Sequence, residues 1–135
     1  AAARAWSLPT LREQPVASTA STDGAWEPWS PARVAELTAA GRPVFVDFTA
    51  AWCVTCQFNK RTTLADASLL ADMAGKNMAL MRADWTRRDP AVTQALAGLG
   101  RNGVPVYAIY KNGQAPVVLS EVLSVEEVRA ALAPL

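Results

Sequence analysis

Cysteine occurs twice in this 135-residue chain, as Cys53-Val54-Thr55-Cys56. Residues i and i+3 of a helix share one face, so two thiols at this spacing can meet and close a small disulfide ring. The chemistry that this permits is thiol–disulfide exchange, in which a thiolate attacks a disulfide sulfur. Two other uses compete. A zinc site needs four ligands, and the chain offers no third cysteine and no histidine to complete one. A purely structural disulfide across so short a loop restrains little chain entropy.

The rest of the composition removes most alternatives. Without histidine there is no Ser-His-Asp or Cys-His pair and no imidazole base or metal ligand. Thirteen basic and twelve acidic side chains leave a net charge of +1, so no strong field favours nucleic acid or an anionic membrane. No apolar run reaches the 18 or more residues of a membrane span. No metal and no bound cofactor is expected beyond the cysteine pair itself.

The cysteines need a scaffold, and the pattern around them supplies one. Val44–Thr49 is β-branched and aromatic on both faces apart from Asp47, as suits a central strand covered on each side. The CxxC follows directly and opens a helix that the pattern carries to about Leu64. Cys53 then lies at the helix N-terminus, where free N–H groups and the macrodipole stabilise a thiolate and lower its pKa. Cys56 falls inside the first turn and becomes the resolving thiol.

Further elements follow from caps and periods. Trp26-Glu27-Pro28-Trp29 reads as an edge strand, and Ser30-Pro31 as an N-cap and first helical residue. That helix buries Val34 and Leu37 and stops at Gly41. Asp66 caps a helix carrying Leu69, Leu70 and Met73, and Met78–Asp84 is a strand. Asp89-Pro90 starts a helix with Val92, Leu96 and Leu99 in step, ending at Gly100. Pro105–Tyr110 is a strand joined through Lys111-Asn112-Gly113, a tight hairpin, to Val117–Leu119. Ser124 with Glu127 forms a capping box for a last helix bearing Val125, Val128 and Leu132. Strands separated by helices imply parallel pairing with an antiparallel hairpin edge. The fold class is a three-layer α/β/α sandwich with a mixed central sheet.

Two more residues bear on the thiols. Asp47 lies six residues before Cys53 in a run fit for burial, which would desolvate it and raise its pKa. It is either a satisfied structural acid or a buried acid–base group that takes the Cys56 proton during resolution. Pro105 lies 49 residues after Cys56. It is either an ordinary strand-opening proline or a cis-proline that presents the Val104 backbone to an extended substrate.

The run Val44-Phe45-Val46-Asp47-Phe48-Thr49-Ala50-Ala51-Trp52-Cys53-Val54-Thr55-Cys56 resembles the thioredoxin superfamily when taken with Val104-Pro105. Together with Ala83-Asp84-Trp85-Thr86, Asp89-Pro90 and Gly100–Tyr107, it is similar over about residues 26–133 to one branch. That branch is the C-terminal periplasmic domain of the DsbD transmembrane thiol:disulfide interchange proteins. The resemblance implies a thioredoxin-like fold and protein-disulfide reductase activity. It implies Cys53 as nucleophile, Cys56 as resolving thiol, Asp47 as buried acid, and Trp52, Val104 and cis-Pro105 as the partner-binding surface. It also implies a relay: electrons come from a cysteine pair in the membrane-embedded domain and pass to an N-terminal immunoglobulin-like domain. That domain in turn reduces periplasmic isomerases and cytochrome c maturation proteins. Some relatives place a glutamate four residues after the second cysteine, where this chain has Lys60, a cation that would lower a nearby thiol's pKa.

The chain opens Ala1-Ala2-Ala3-Arg4 without Met, as a processed or excised piece would. Residues 1–24, rich in Ala, Ser and Thr, read as a flexible linker ahead of a domain over 25–135. The resemblance makes that linker the connection to the last membrane helix, with the domain on the periplasmic side of the bacterial inner membrane and monomeric in isolation. Two other functions share these features: a free-standing periplasmic thioredoxin-like reductase for cytochrome c maturation, and a non-catalytic binding module on the same fold.

Overall fold

A computed structural model describes residues 25–135; the linker expected over 1–24 lies outside the described residues. The elements in chain order are β1 (Trp26–Pro28), α1 (Pro31–Ala39), β2 (Val44–Thr49), α2 (Val54–Arg61) and a short 3-10 turn (Thr63–Ala65). They continue with α3 (Ala67–Gly75), β3 (Ala79–Asp84), α4 (Pro90–Gly98), β4 (Val106–Tyr110), β5 (Val117–Val118) and α5 (Val125–Leu132).

The five strands form one sheet in the order β1-β3-β2-β4-β5. β3 runs parallel to both β1 and β2, whereas β4 runs antiparallel to β2 and β5 antiparallel to β4. The antiparallel part therefore starts at β4, one strand earlier than the sequence pattern implies. This has a consequence for the chemistry. Phe48 pairs with Val106, so the Pro105 end of β4 lies beside the end of β2 from which the CxxC departs.

Side chains alternate across the sheet and make two cores. On one face Val46, Phe48, Met81 and Val106 pack with Leu37, Val92 and Leu96 of α1 and α4. On the other Phe45, Leu80, Tyr107 and Ile109 pack with Leu69, Met73, Val128 and Leu132 of α3 and α5. Each fully buried Phe or Leu contributes about 1.5–3 kcal/mol relative to exposure, so the sheet is a firm floor for α2.

The caps explain where the helices begin. Ser30 Oγ accepts from the Arg33 N–H with Pro31 following, Asp66 accepts from Leu69, and Asp89 accepts from Ala91 and Val92 ahead of Pro90. Gly41, at φ +88°, turns the chain out of α1 in a region that a side chain disfavours.

Three local expectations are corrected. The helix expected to run to Leu64 ends at Arg61: Thr62 leaves helical backbone at φ −114°, ψ −93°, and Thr63 Oγ1 donates to the Leu123 carbonyl. The β4–β5 connection is not a two-residue hairpin, because β5 starts only at Val117; Gln114 N–H closes a turn on the Lys111 carbonyl with Gly113 at φ +74°. The capping box is half made. Ser124 Oγ accepts the Glu127 N–H, but the Glu127 carboxylate accepts from Ser120 instead of Ser124.

Candidate functional site

Val44–Thr49 is buried along its whole length, and the chain leaves it through Ala50, Ala51 and Trp52 into α2. Cys53 is the N-cap of that helix: its backbone is extended and its Sγ accepts the Cys56 N–H at 3.1 Å. A sulfur thus occupies the place usually held by a serine or aspartate oxygen, facing the unpaired donors of the first turn. Cys53 and Cys56 are joined in a disulfide with Cα atoms 5.2 Å apart. The two sulfurs are not equivalent. Cys53 retains 7% of its surface and Cys56 none, so a partner can reach only the first.

The turn before Cys53 is held from several sides. Cys53 N–H donates to Ala50 O, and Gln57 Nε2 donates to the same carbonyl. Ala51 N–H donates to Thr86 Oγ1 at 2.8 Å, and Trp52 Nε1 donates to Thr86 O at 3.1 Å. Thr86 also donates from its N–H and hydroxyl to the Asp84 carboxylate. These bonds, the hydroxyl one first, hold the Asp84 pKa below the ordinary carboxylate range, with Lys60 and Arg87 adding to the effect. The charge of Lys60 thus acts on Asp84.

The Val104–Pro105 peptide bond is cis. Val104 packs against a small cluster of Ala50, Cys53 and Cys56, so the structure brings together the CxxC and Val104-Pro105. Trp52 is half exposed at 49%, and Val54 and Phe58 expose apolar surface along α2.

Asp47 is fully buried. It pairs in register with Tyr107 of β4 and Arg82 of β3, and directly opposed residues point to the same face. That face is the one α2 covers, because Asn59 Nδ2 of α2 donates to Tyr107 Oη at 2.8 Å. Cys56 and Asn59, at i and i+3, share the buried side of α2 and are both fully enclosed. The carboxylate therefore belongs to the layer between the sheet and the Cys56 face of α2. Its charge is compensated: Arg82 Nε lies 3.2 Å from Asp47 Oδ2, and the Arg82 guanidinium covers the Trp26 ring at 4.2 Å.

Several residues of this site carry no motif. Arg82 is legible only as a basic residue in an otherwise apolar strand. Asn59 is legible only as a polar residue at i+3 from Cys56; besides Tyr107 it donates to Glu121 O and accepts from Leu123 N–H. Tyr107 is fully enclosed, and burial, with Asp47 nearby, pushes its phenol pKa up strongly. Among the described residues no group of His, Cys, Asp or Glu is arranged to hold a metal ion.

A mixed sheet carrying a CxxC at a strand-to-helix junction beside a cis-proline defines a thiol:disulfide oxidoreductase. The thioredoxin-like family matches residues 25–112, and the chain belongs to it. Among curated proteins it is similar to thiol:disulfide interchange protein DsbD of Ralstonia nicotianae, 36% identical over 62% of this chain and 14% of that protein. It is also similar to DsbD 1 of Pseudomonas aeruginosa, 30% identical over 79% of this chain and 18% of that protein. The chain thus spans less than a fifth of these relatives' length. Among solved structures, the reduced C-terminal domain of DsbD from Neisseria meningitidis superposes with TM-score 0.62 at 18% identity, covering 76% of this chain and 87% of that one. Among the described residues no helix is long and apolar enough to cross a membrane.

Proposed function

We propose that this domain relays electron pairs by dithiol–disulfide exchange, as the C-terminal part of a DsbD-like membrane protein on the periplasmic side of a bacterial inner membrane. It takes them from a membrane-embedded cysteine pair and passes them to a periplasmic partner domain of the same protein, and through it to periplasmic thiol proteins including those of cytochrome c maturation. The observation that carries this reading is the asymmetry of the pair: Cys53 is reachable and caps the helix, while Cys56 is enclosed behind it.

In the reduced domain the Cys53 thiolate attacks one sulfur of the partner's disulfide. A Cys53–partner disulfide forms, the partner's S–S bond breaks, and the released partner thiolate takes a proton. The Cys56 thiol then gives its proton to the Asp47 carboxylate and attacks Cys53 Sγ. The internal disulfide forms, the mixed one breaks, and the partner's second sulfur leaves as a thiolate that takes up a proton, so the partner departs as a dithiol with two electrons gained. Loading from a reduced donor runs the same steps backwards. Asp47 is placed for this work in the layer between the sheet and the Cys56 face of α2, with its carboxylate held by Arg82. Trp52, Val104 and Pro105 form the surface against which the partner segment lies, with Val104 already in contact with the cysteines.

The test is transfer from the reduced protein to an oxidised immunoglobulin-like DsbD domain, followed by thiol alkylation and mass spectrometry. The reading expects stoichiometric reduction of the partner. Persistence of the partner disulfide under conditions where a small dithiol reduces it would contradict the relay.

A further inference from the structure

Beside the cysteines lies a cation that the exchange steps do not use. Arg88 is exposed and sits in left-handed backbone at φ +57°, its N–H donating to Trp85 O at 2.9 Å. This backbone brings its guanidinium 4.4 Å from the Trp85 ring centroid and 4.9 Å from that of Trp52. Both rings are themselves fixed. Trp85 is buried and donates from Nε1 to Thr93 Oγ1 at 2.8 Å, while Trp52 donates to Thr86 O. The charge is thereby anchored against the residue immediately before Cys53.

A stacked guanidinium uses its faces on the rings and keeps its N–H groups at the edge, in a fork that fits a carboxylate. Among the described residues no carboxylate pairs with Arg88. The nearby acids are engaged elsewhere: Asp84 with Thr86, and Asp89 with the first N–H groups of α4. Arg87 is exposed next to Arg88, and Arg101 is exposed three residues before Val104. Asp84 and Asp89 are exposed on the same segment, so what marks Arg88 is its fixed place on the Trp52 ring and not an excess of positive charge.

We propose that Arg88 recognises a partner protein through an aspartate or glutamate carboxylate placed within a few residues of the partner's reacting cysteine. Arg88 thereby makes the domain select acidic disulfide segments. This rests on the exchange reading and specifies the partner that reading leaves open.

The test uses the reduced protein and two cystine peptides identical except that two glutamates flank the cysteine in one and two glutamines in the other. Second-order oxidation rates are followed at low salt and at 0.5 M salt. The glutamate peptide is expected to react about fivefold faster at low salt, with the advantage shrinking at high salt, as rim charges act on encounter. Arg88→Gln is expected to bring the ratio of the two rates close to one, and Arg88→Glu to invert it. Equal rates in the unsubstituted protein overturn the proposal without any variant. So does an unchanged ratio in Arg88→Gln, the result expected if Arg88 only orders Trp52 and both rates fall together. Absence of oxidation by either peptide overturns the exchange reading and this proposal with it.

Discussion

Replacing Arg82 by methionine removes the cation from a pair whose acid is completely enclosed. The Arg82 side chain is 18% exposed and Asp47 is 0% exposed, with Nε and Oδ2 3.2 Å apart. Breaking such a pair by deleting one member costs about 3–5 kcal/mol, because the remaining charge is left buried without its counter-ion. The cation–π contact with Trp26 at 4.2 Å is lost as well, adding roughly 0.5–1 kcal/mol. With a urea slope of about 1.5 kcal/mol/M, within the usual range for a small domain, the unfolding midpoint should fall by about 2–4 M. The diagnostic comparison is the double variant Asp47→Asn/Arg82→Met, in which neither charge remains. It should recover roughly 2 kcal/mol or more of the Arg82→Met loss, since deleting both partners is far less costly than stranding one. Urea unfolding of the oxidised protein at pH 7, followed by tryptophan fluorescence, measures all four members of the cycle. A loss below about 1 kcal/mol in Arg82→Met, or no recovery in the double variant, would refute the compensated-charge account of Asp47.

Other expectations follow from the same site. Asp47→Asn should slow the resolving step by about 10²-fold, the lower end for loss of a positioned base. Stopped-flow decay of the mixed disulfide measures it, and an unchanged rate removes Asp47 from the mechanism. Asn59→Ala strands Tyr107 Oη and Leu123 N–H in an enclosed region, and should cost about 2–4 kcal/mol on urea unfolding. The pKa of Asp84 is lowered in the folded state, chiefly by the Thr86 hydroxyl. Its stabilisation is thus present above the unfolded carboxylate pKa and is lost as pH falls through the folded one. Thr86→Val should therefore show a stability deficit at neutral pH that narrows below about pH 4 in acid titrations. Tyr107 and Tyr110, the chain's two tyrosines, both have raised pKa values, chiefly from burial. Tyrosinate absorbance should appear at higher pH in the folded protein than in the unfolded chain, and stability should fall as pH rises above the unfolded tyrosine value of about 10.

The parts of this molecule that were legible in its sequence are those set by local chemistry. Ser30-Pro31, Asp66 and Asp89-Pro90 announce helix starts because a short acceptor followed by proline or an apolar period has few other uses. Val44–Thr49 announces a central strand because it is apolar on both faces, and the buried aspartate within it stands out for that reason. The CxxC and the later proline mark the reacting corner by type and order alone. What was not legible depends on register between distant segments. Arg82 meets Asp47 only because β3 aligns with β2 residue for residue, and Asn59 meets Tyr107 across 48 positions of sequence. The Arg88 stack depends on a left-handed residue in a loop, which no periodicity marks. The hairpin failed for a similar reason: Asn112-Gly113 favours a turn, but Gln114, Ala115 and Pro116 follow it before any ladder forms.

The central claim is that Cys53 attacks and Cys56 resolves. Its most direct measurement is trapping with single-cysteine variants, each challenged with a cystine peptide and read by intact-mass spectrometry. Cys56→Ser should accumulate a stable peptide adduct on Cys53 within the mixing time of the reduced protein, while Cys53→Ser should remain unmodified. Rapid adduct formation on Cys56 in Cys53→Ser, at a rate matching the other variant, would contradict the assignment and the exposure argument beneath it.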